Sequence, residues 1–291
     1  MKVAFVSIIG RPNVGKSSLL NTILDYPVSI VTNVAQTTRD QIMGVYNEEG
    51  YQIVFVDTPG IHKPINKLGE VLNKNAYESV KDVDCLLFLS PVNEAIGEGD
   101  KLILEKIKKV ENKIALISKI DLAKDPQVLA SKIKELQAYE FNKILSTSAN
   151  DKKSTIELVQ ELKKYTTEGQ PYYDTDYITD KPLRFIAKEI IRESAINLLR
   201  EELPHSIAIE IADFIEEEDC MTIDAIIYVK KASQKGMLIG KNGSMIKEIG
   251  TAARKKMMNQ FNTKVILNTK VKIANKWVDD IKSLKKFGYE N

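Results

Sequence analysis

Gly10-Arg11-Pro12-Asn13-Val14-Gly15-Lys16-Ser17 is the stretch whose residue types and spacing most clearly imply chemistry. It follows an apolar run, Val3 to Ile9, and precedes a helical stretch from Ser17 to Leu24. This is the phosphate-loop pattern G-x-x-x-x-G-K-[ST] in the strand–loop–helix setting it needs. Its glycines let backbone N–H groups close around phosphate oxygens, and the helix that starts there points its positive end at the anion. Lys16 can reach β- and γ-phosphates, and the Ser17 hydroxyl can hold Mg²⁺. The nucleotide-contacting set read from the loop is Gly10, Asn13, Val14, Gly15, Lys16, Ser17 and Ser18.

Further signatures fall where strands end. Asp57-Thr58-Pro59-Gly60 offers a carboxylate for the metal and a Gly60 amide for the γ-phosphate. Gln36-Thr37-Thr38-Arg39-Asp40 is polar and aperiodic, and a threonine hydroxyl there can complete a Mg²⁺ shell only while a γ-phosphate is present. Thr38 is preferred to Thr37. The metal set is therefore Ser17, Thr38 and Asp57. The catalytic set is Lys16, Thr38, Gly60 and Asn13.

Ser118-Lys119-Ile120-Asp121 closes another strand. A carboxylate at Asp121 accepts the N1–H and 2-amino donors of guanine, whereas adenine leaves it unpaired. The Lys119 stem can lie over the base, and a backbone amide at Ser148-Ala149 can meet guanine O6. Ile61 follows Gly60 where some GTPases carry a water-orienting Gln, so hydrolysis must rely on other groups. His62 reads as a solvated loop residue rather than a base.

A second motif lies far downstream. Ile239-Gly240-Lys241-Asn242-Gly243-Ser244-Met245-Ile246 fits I-G-x-x-G-x-x-I, the core of a K-homology (KH) domain, read as a turn between a strand and a helix. Such a turn admits a nucleic-acid backbone beside a groove for about four unpaired nucleotides. Residues 230–291 carry 15 Lys+Arg against 4 Asp+Glu, a footprint for a polyanion. Lys241, Lys247, Arg254 and Lys255 would neutralise phosphates, and Gly236, Ile239, Gly240, Asn242 and Gly243 complete the set. Trp277 could stack on a base, but core packing is the preferred reading.

The elements that must position these groups follow from periodicity. Strands are expected at Val3–Ile9, Ile42–Asn47, Gln52–Val56, Cys85–Ser90, Lys113–Ser118 and Lys143–Ser146, with a hairpin turn at Asn47-Glu48-Glu49-Gly50. Amphipathic helices alternate with them, which implies an α/β, mostly parallel sheet covered on both faces. Residues 1–168 form this domain, 169–181 a linker, and 182–291 a second α+β domain of order α-β-β-α-α-β with a basic tail. The last order suggests the type II KH arrangement. The 291 residues suffice for two cores. No apolar run approaches the ~18–20 residues of a membrane span. Cys85 and Cys220 read as free thiols of a cytoplasmic protein, and His62 and His205 form no metal cluster.

Together the motifs resemble those of the Era family, bacterial GTPases that bind small-subunit ribosomal RNA. The resemblance rests on residues 10–18, on Gln36-Thr37-Thr38-Arg39 and on Asp57-Thr58-Pro59-Gly60-Ile61-His62-Lys63-Pro64. It extends to Lys230–Gly243, against R-D-S-Q-K-G-I-I-I-G-K-G-G in the family, and to the basic strand before Trp277. It implies Mg²⁺ with GTP or GDP as cofactor and nucleotide, and potassium held through Asn13. It implies the single-stranded 3′ end of 16S ribosomal RNA as target, in assembly of the small (30S) subunit. A monomer is expected, with at most a peripheral association at the cytoplasmic face of the membrane. Two departures stand out. Ser118 replaces an Asn that in the family contacts both base and phosphate loop, which should weaken nucleotide grip, and Asn242 replaces a common Gly. The alternatives are an RNA-binding scaffold whose nucleotide site barely turns over, and an ATPase, which Asp121 argues against.

Overall fold

A computed structural model describes residues 1–291 apart from Asn33, Ala35, Gln36, Glu201, Glu290 and Asn291. Gln36 of the Gln36–Asp40 stretch and Glu201 before Leu203 thus lie outside the described residues. The chain divides into two compact units. One comprises Met1–Ser29, Thr38–Ile65 and Gly69–Asp180, the other Ile30–Thr37, Asn66–Leu68 and Lys181–Asn291.

The first unit is built on strands β1 (Lys2–Ile9), β2 (Ile42–Glu48), β3 (Tyr51–Asp57), β4 (Cys85–Pro91), β5 (Lys113–Ser118), β6 (Lys143–Ser146) and β7 (Thr167–Glu168). The main path runs β2-β3-β1-β4-β5-β6, and β7 pairs with β1. β3, β1, β4, β5 and β6 are mutually parallel, while β2 folds back antiparallel on β3 through a turn at Gly50 (φ 79°). The central strands are mostly apolar because helices cover both faces. Leu86, Leu87, Phe88 and Leu89 are all fully buried, and each contributes about 1.5–3 kcal/mol relative to exposure. The helices are α1 (Lys16–Leu24), α2 (Lys67–Glu78), α3 (Glu98–Ile107), α4 (Pro126–Leu136) and α5 (Lys152–Leu162). Asp125 and Asp151 start α4 and α5 by accepting the N–H groups of Gln127 (2.8 Å) and Lys153 (3.0 Å).

Residues 169–180, aperiodic in sequence, are fastened to the β2–β3 edge. The buried Gln52 side chain accepts from Tyr172 N (2.7 Å) and Tyr173 N (3.1 Å) and donates to Tyr173 O (2.8 Å). Further along, Val45 N donates to Ile178 O, Thr179 Oγ1 donates to Met43 O, and Met43 N donates to Asp180 Oδ1. These bonds satisfy an edge strand that would otherwise present open backbone groups.

In the second unit, α6 (Leu183–Leu198) and the one-turn α7 (Leu203–Ser206) precede β8 (Ala208–Glu216), β9 (Cys220–Val229), α8 (Ala232–Ile239), α9 (Ser244–Phe261), β10 (Lys264–Ile273) and α10 (Ile281–Lys286). The sheet order is β10-β9-β8, with β9 antiparallel to β8 and parallel to β10. Ile190 and Ile191 of α6, Ile209 of β8, Ile223 and Ile227 of β9, and Ile249, Ala253 and Met257 of α9 share one core. The sequence pattern puts the Gly240–Gly243 turn between a strand and a helix; in the structure it joins two helices, α8 and α9. The order α-β-β-α-α-β is nonetheless observed; Gly236 within α8 lowers helix propensity, which makes the stretch before the turn read as strand. The expected basic tail is folded. Trp277, Leu284, Phe287 and Tyr289 are buried, and the lysines of α10 lie outward.

Candidate nucleotide site and nucleic-acid surface

The phosphate loop takes its shape from left-handed backbone at Asn13 (φ 62°) and Gly15 (φ 102°). α1 is preceded by Gly15 as its cap residue, with no side-chain cap and no acidic residue in its first turn, which leaves its first N–H groups available to an anion. A Cβ on Gly10 would meet Leu89 O at 2.8 Å, which leaves glycine the only residue that fits there. Val14 and Lys16 are buried, and Asn13 is exposed at the loop tip.

Lys16 Nζ donates to Gly10 O (3.2 Å) and Arg11 O (2.9 Å). Burial lowers the ammonium from 10.5 to about 8, and the Asp57 charge opposes that shift. Asp57, at the end of β3, is fully buried. Burial pushes its carboxyl up, against the Lys16 charge and the hydroxyls of Ser17 and Ser29. Asp57 Oδ2 accepts from Ser17 Oγ (2.7 Å) and Ser29 Oγ (2.9 Å), and Ser17 Oγ lies 2.8 Å from Thr38 Oγ1. The expected metal set, Ser17, Thr38 and Asp57, is therefore brought together. Thr37 instead donates to Val34 O and meets Thr32.

Asp57 Oδ1 is buried with no hydrogen-bond partner among the described residues. An unsatisfied carboxylate oxygen beside two hydroxyls suits a hard divalent cation that takes oxygen ligands. No group of three or more His, Cys, Asp or Glu that could hold a metal occurs among the described residues. The oxygen cluster thus fits a cation that takes its remaining ligands from phosphate and water, as Mg²⁺ does.

Gly60 packs against the loop, since a Cβ there would meet Pro12 Cα at 2.6 Å. Ile61 is buried in the same core cluster as Ile9 and Phe88. His62, read as solvated, is half-buried, with Nδ1 3.1 Å from Gly60 O and its backbone tied to Asn73.

At the far end of the site Lys119 takes left-handed backbone (φ 57°) and crosses to Asn13 O (2.6 Å). Ser118 Oγ donates to Val14 O (2.7 Å). Asp121 is exposed, and the Ser148 hydroxyl (2.5 Å) holds its carboxyl below the usual carboxylate range. Asn150 Nδ2 donates to its other oxygen (3.3 Å). Along 147–150, Thr147 N, Ser148 N and Asn150 N are engaged with Ile117 O, Ser154 Oγ and Ser148 Oγ. Ala149 N–H has no partner among the described residues.

Sequence reasoning missed three contributors. Ser29 carries no motif. Asn150 adjoins one. The third is the anchor of Arg11, whose guanidinium pairs with the fully buried Asp100 (2.8 Å) and with Glu94 (2.8 Å). The available signal was Asp100 three residues after Gly97, a helix-start spacing, and Asp100 Oδ2 does accept Gly97 N (3.0 Å).

The second unit presents its own surface. Gly240 combines φ 74° with ψ 174°, and a Cβ there would meet Met245 N and Cβ at 2.8 Å. Gly243 (φ 78°) faces open space, and Asn242 (φ 53°) takes a conformation asparagine tolerates. α9 starts with no side-chain cap and no acidic first turn. Lys241, Lys247, Arg254, Lys255 and Gly236 are exposed, with Ile239 half-buried between them and the core. Trp277 is fully buried, donates Nε1 to Ser206 O (3.0 Å) and stands edge-on to Phe287. It packs and does not offer a face to a base.

Comparison with known proteins matches both units. A family model described as 50S ribosome-binding GTPase covers residues 5–120, and one described as KH domain covers 202–278. The chain is 67% identical over 289 residues to GTPase Era of Mycoplasmopsis agalactiae, spanning 99% of this chain and 100% of that relative. It is 52% identical over 291 residues to GTPase Era of Mycoplasmopsis pulmonis, across 99% of each. Two crystal structures, each 36% identical and covering all of both chains, superpose with a TM-score of 0.95. One is Era in complex with MgGDPNP and nucleotides 1506–1542 of 16S ribosomal RNA; the other is a point variant of Aquifex aeolicus Era bound to GDP.AlF4-.

Proposed function

The chain belongs to the Era family of GTPases, and on that basis we propose how its residues divide the work. It is a GTPase that binds ribosomal RNA, uses Mg²⁺ with its nucleotide, and acts in assembly of the small ribosomal subunit. The observation that carries the nucleotide reading is the Lys16–Ser17–Thr38–Asp57 cluster, with its unsatisfied carboxylate oxygen, beneath an uncapped helix start.

Gly10, Asn13, Val14, Gly15, Lys16, Ser17 and Ser18 cradle the phosphates. Ser17, Thr38 and Asp57 hold Mg²⁺, which when bound neutralises charge on the β- and γ-phosphates. Lys16 turns from the loop carbonyls to phosphate oxygens, and the Gly60 amide meets the γ-phosphate. The Thr38 loop is ordered only with the γ-phosphate present, so hydrolysis releases it. Asn13 helps hold a potassium ion near the phosphates. Asp121, Lys119 and the Ala149 amide take the guanine, with Ser118 and Ser148 behind them. In residues 182–291, Gly236, Ile239 and Gly240–Gly243 admit the RNA backbone, and Lys241, Lys247, Arg254 and Lys255 meet its phosphates. The target is the single-stranded 3′ end of 16S ribosomal RNA, held under control of the nucleotide state. We place a monomer in the cytoplasm. No helix among the described residues is long and apolar enough to cross a membrane. We propose at most a peripheral association at the cytoplasmic face of the membrane.

One observation favours a second reading, an RNA scaffold with little turnover: Ile61, buried in the core, leaves no water-orienting side chain after Gly60. Single-turnover assays with GTP and ATP, with and without a short single-stranded RNA, separate the readings. GTP-specific phosphate release supports the GTPase. No release under any condition leaves the scaffold.

A further inference from the structure

Base recognition at this site rests on the guanine reading of Asp121. Guanine offers donors on its Watson–Crick edge and two acceptors, O6 and N7, on the neighbouring edge. Ser118 ends β5 almost fully buried, and a hydroxyl has one proton to give. That proton is on Val14 O at 2.7 Å, in the phosphate loop. The Ser148 hydroxyl and the Asn150 amide both point at Asp121. Lys119 Nζ is on Asn13 O. Along the backbone of 147–150 only the Ala149 N–H is left without a partner among the described residues. Of the Ser118 and Ser148 hydroxyls and the backbone amides of 147–150, one donor therefore faces two acceptors, while the Asn150 amide and the Lys119 ammonium are turned to Asp121 and to Asn13 O.

We infer that Ser118 makes this a guanine site blind to N7: it fixes the phosphate loop, supplies nothing to the imidazole edge, and leaves recognition to Asp121 and the Ala149 amide at O6. The site accordingly takes guanine nucleotides whose N7 is absent as readily as guanine itself. A longer amide side chain at position 118 has two N–H donors and can serve the loop and the base together.

The test is direct binding of GDP, 7-deaza-GDP, IDP and ADP, each with Mg²⁺, to the full chain and to S118A and S118N. The wild type should bind 7-deaza-GDP within about twofold of GDP. S118A should weaken both by the same factor, because it removes a tie to the loop and none to the base. S118N should open a gap of about three- to tenfold in favour of GDP, the worth of one hydrogen bond. A wild-type preference for GDP over 7-deaza-GDP of threefold or more overturns the inference, as does a ratio near one that persists in S118N, which would remove Ser118 as its cause. IDP and ADP test the underlying reading separately: if both bind as tightly as GDP, Asp121 does not read guanine at all.

Discussion

Raising the pH should loosen nucleotide binding through one group, Lys16. In the nucleotide-free protein burial lowers its ammonium to about 8. With phosphates beside it the charge is favoured, so the bound form keeps the proton throughout the range considered. Affinity then tracks the charged fraction of the free protein. That fraction falls from about 0.9 near pH 7 to about 0.25 near pH 8.5, which predicts a roughly fourfold rise in Kd for Mg·GDP, steepening toward tenfold per unit above. The assay is calorimetric or fluorescence titration at constant ionic strength, ended below the range where guanine itself loses its N1 proton. Lys16→Arg is the control: a guanidinium stays charged, so the variant binds more weakly with a flat profile. Stability moves the other way. The folded, nucleotide-free state holds this proton less well than the unfolded chain, so the cost is full below about 8 and is relieved as pH rises from there to the unfolded value of about 10.5. Wild type should gain on Lys16→Met across that window. A wild-type Kd flat between about pH 7 and 8.5, or a Lys16→Arg profile as steep as the wild type, would refute the reasoning.

Other perturbations address the remaining parts. Asp57→Asn should abolish the Mg²⁺ dependence of GDP affinity; Mg²⁺ dependence that survives would remove Asp57 from the metal set. Changing Gly240 and Gly243 together to Asp should eliminate binding of single-stranded RNA in gel-shift titrations yet spare GDP binding, and Gly240→Ala alone should cost about 1–3 kcal/mol of stability from its backbone conformation and the 2.8 Å approach of Met245. Trp277→Ala should destabilise the protein by about 3–5 kcal/mol in denaturant unfolding; a variant of native stability with lost RNA affinity would instead make the ring a base platform. Turnover should be faster in potassium than in sodium buffers, and equal rates would discard the potassium role of Asn13.

The chain of strands and helices is readable because the two periodicities alternate cleanly in the first unit, where the central runs β4 and β5 are buried on both faces and the helices carry one apolar stripe. The pattern places β5 and β6 to the residue, and β1–β4 to within a residue or two at their ends. The failures have local causes. The order α-β-β-α-α-β holds, but α8 contains Gly236, so the element just before the glycine turn reads as strand where the structure has an eight-residue helix. Residues 169–180 have no periodicity because backbone and side-chain bonds to β2 and β3, rather than an apolar stripe, hold them. The one-turn α7 is too short for a pattern.

At the site, what sequence discloses is what motifs encode at fixed spacing, and what it hides is what approaches across the fold. Ser29 reaches Asp57 over 28 positions, and Asp100 reaches Arg11 over 89, with nothing local to announce either. Ser118 shows the distinction most sharply. As a sequence feature it is a loss, an Asn missing from a motif that should hold both loop and base. The structure separates those two tasks. The hydroxyl reaches Val14 O at 2.7 Å, so the tie to the phosphate loop is kept, and its only proton is thereby engaged. A weakened grip should therefore appear on the base edge and not in the phosphate cradle. Comparing how Asn and Ser at this position respond to GDP, and to phosphate-only ligands such as pyrophosphate, decides the point. S118N should tighten GDP and leave pyrophosphate unchanged, and an equal gain for both would locate the defect in the loop instead.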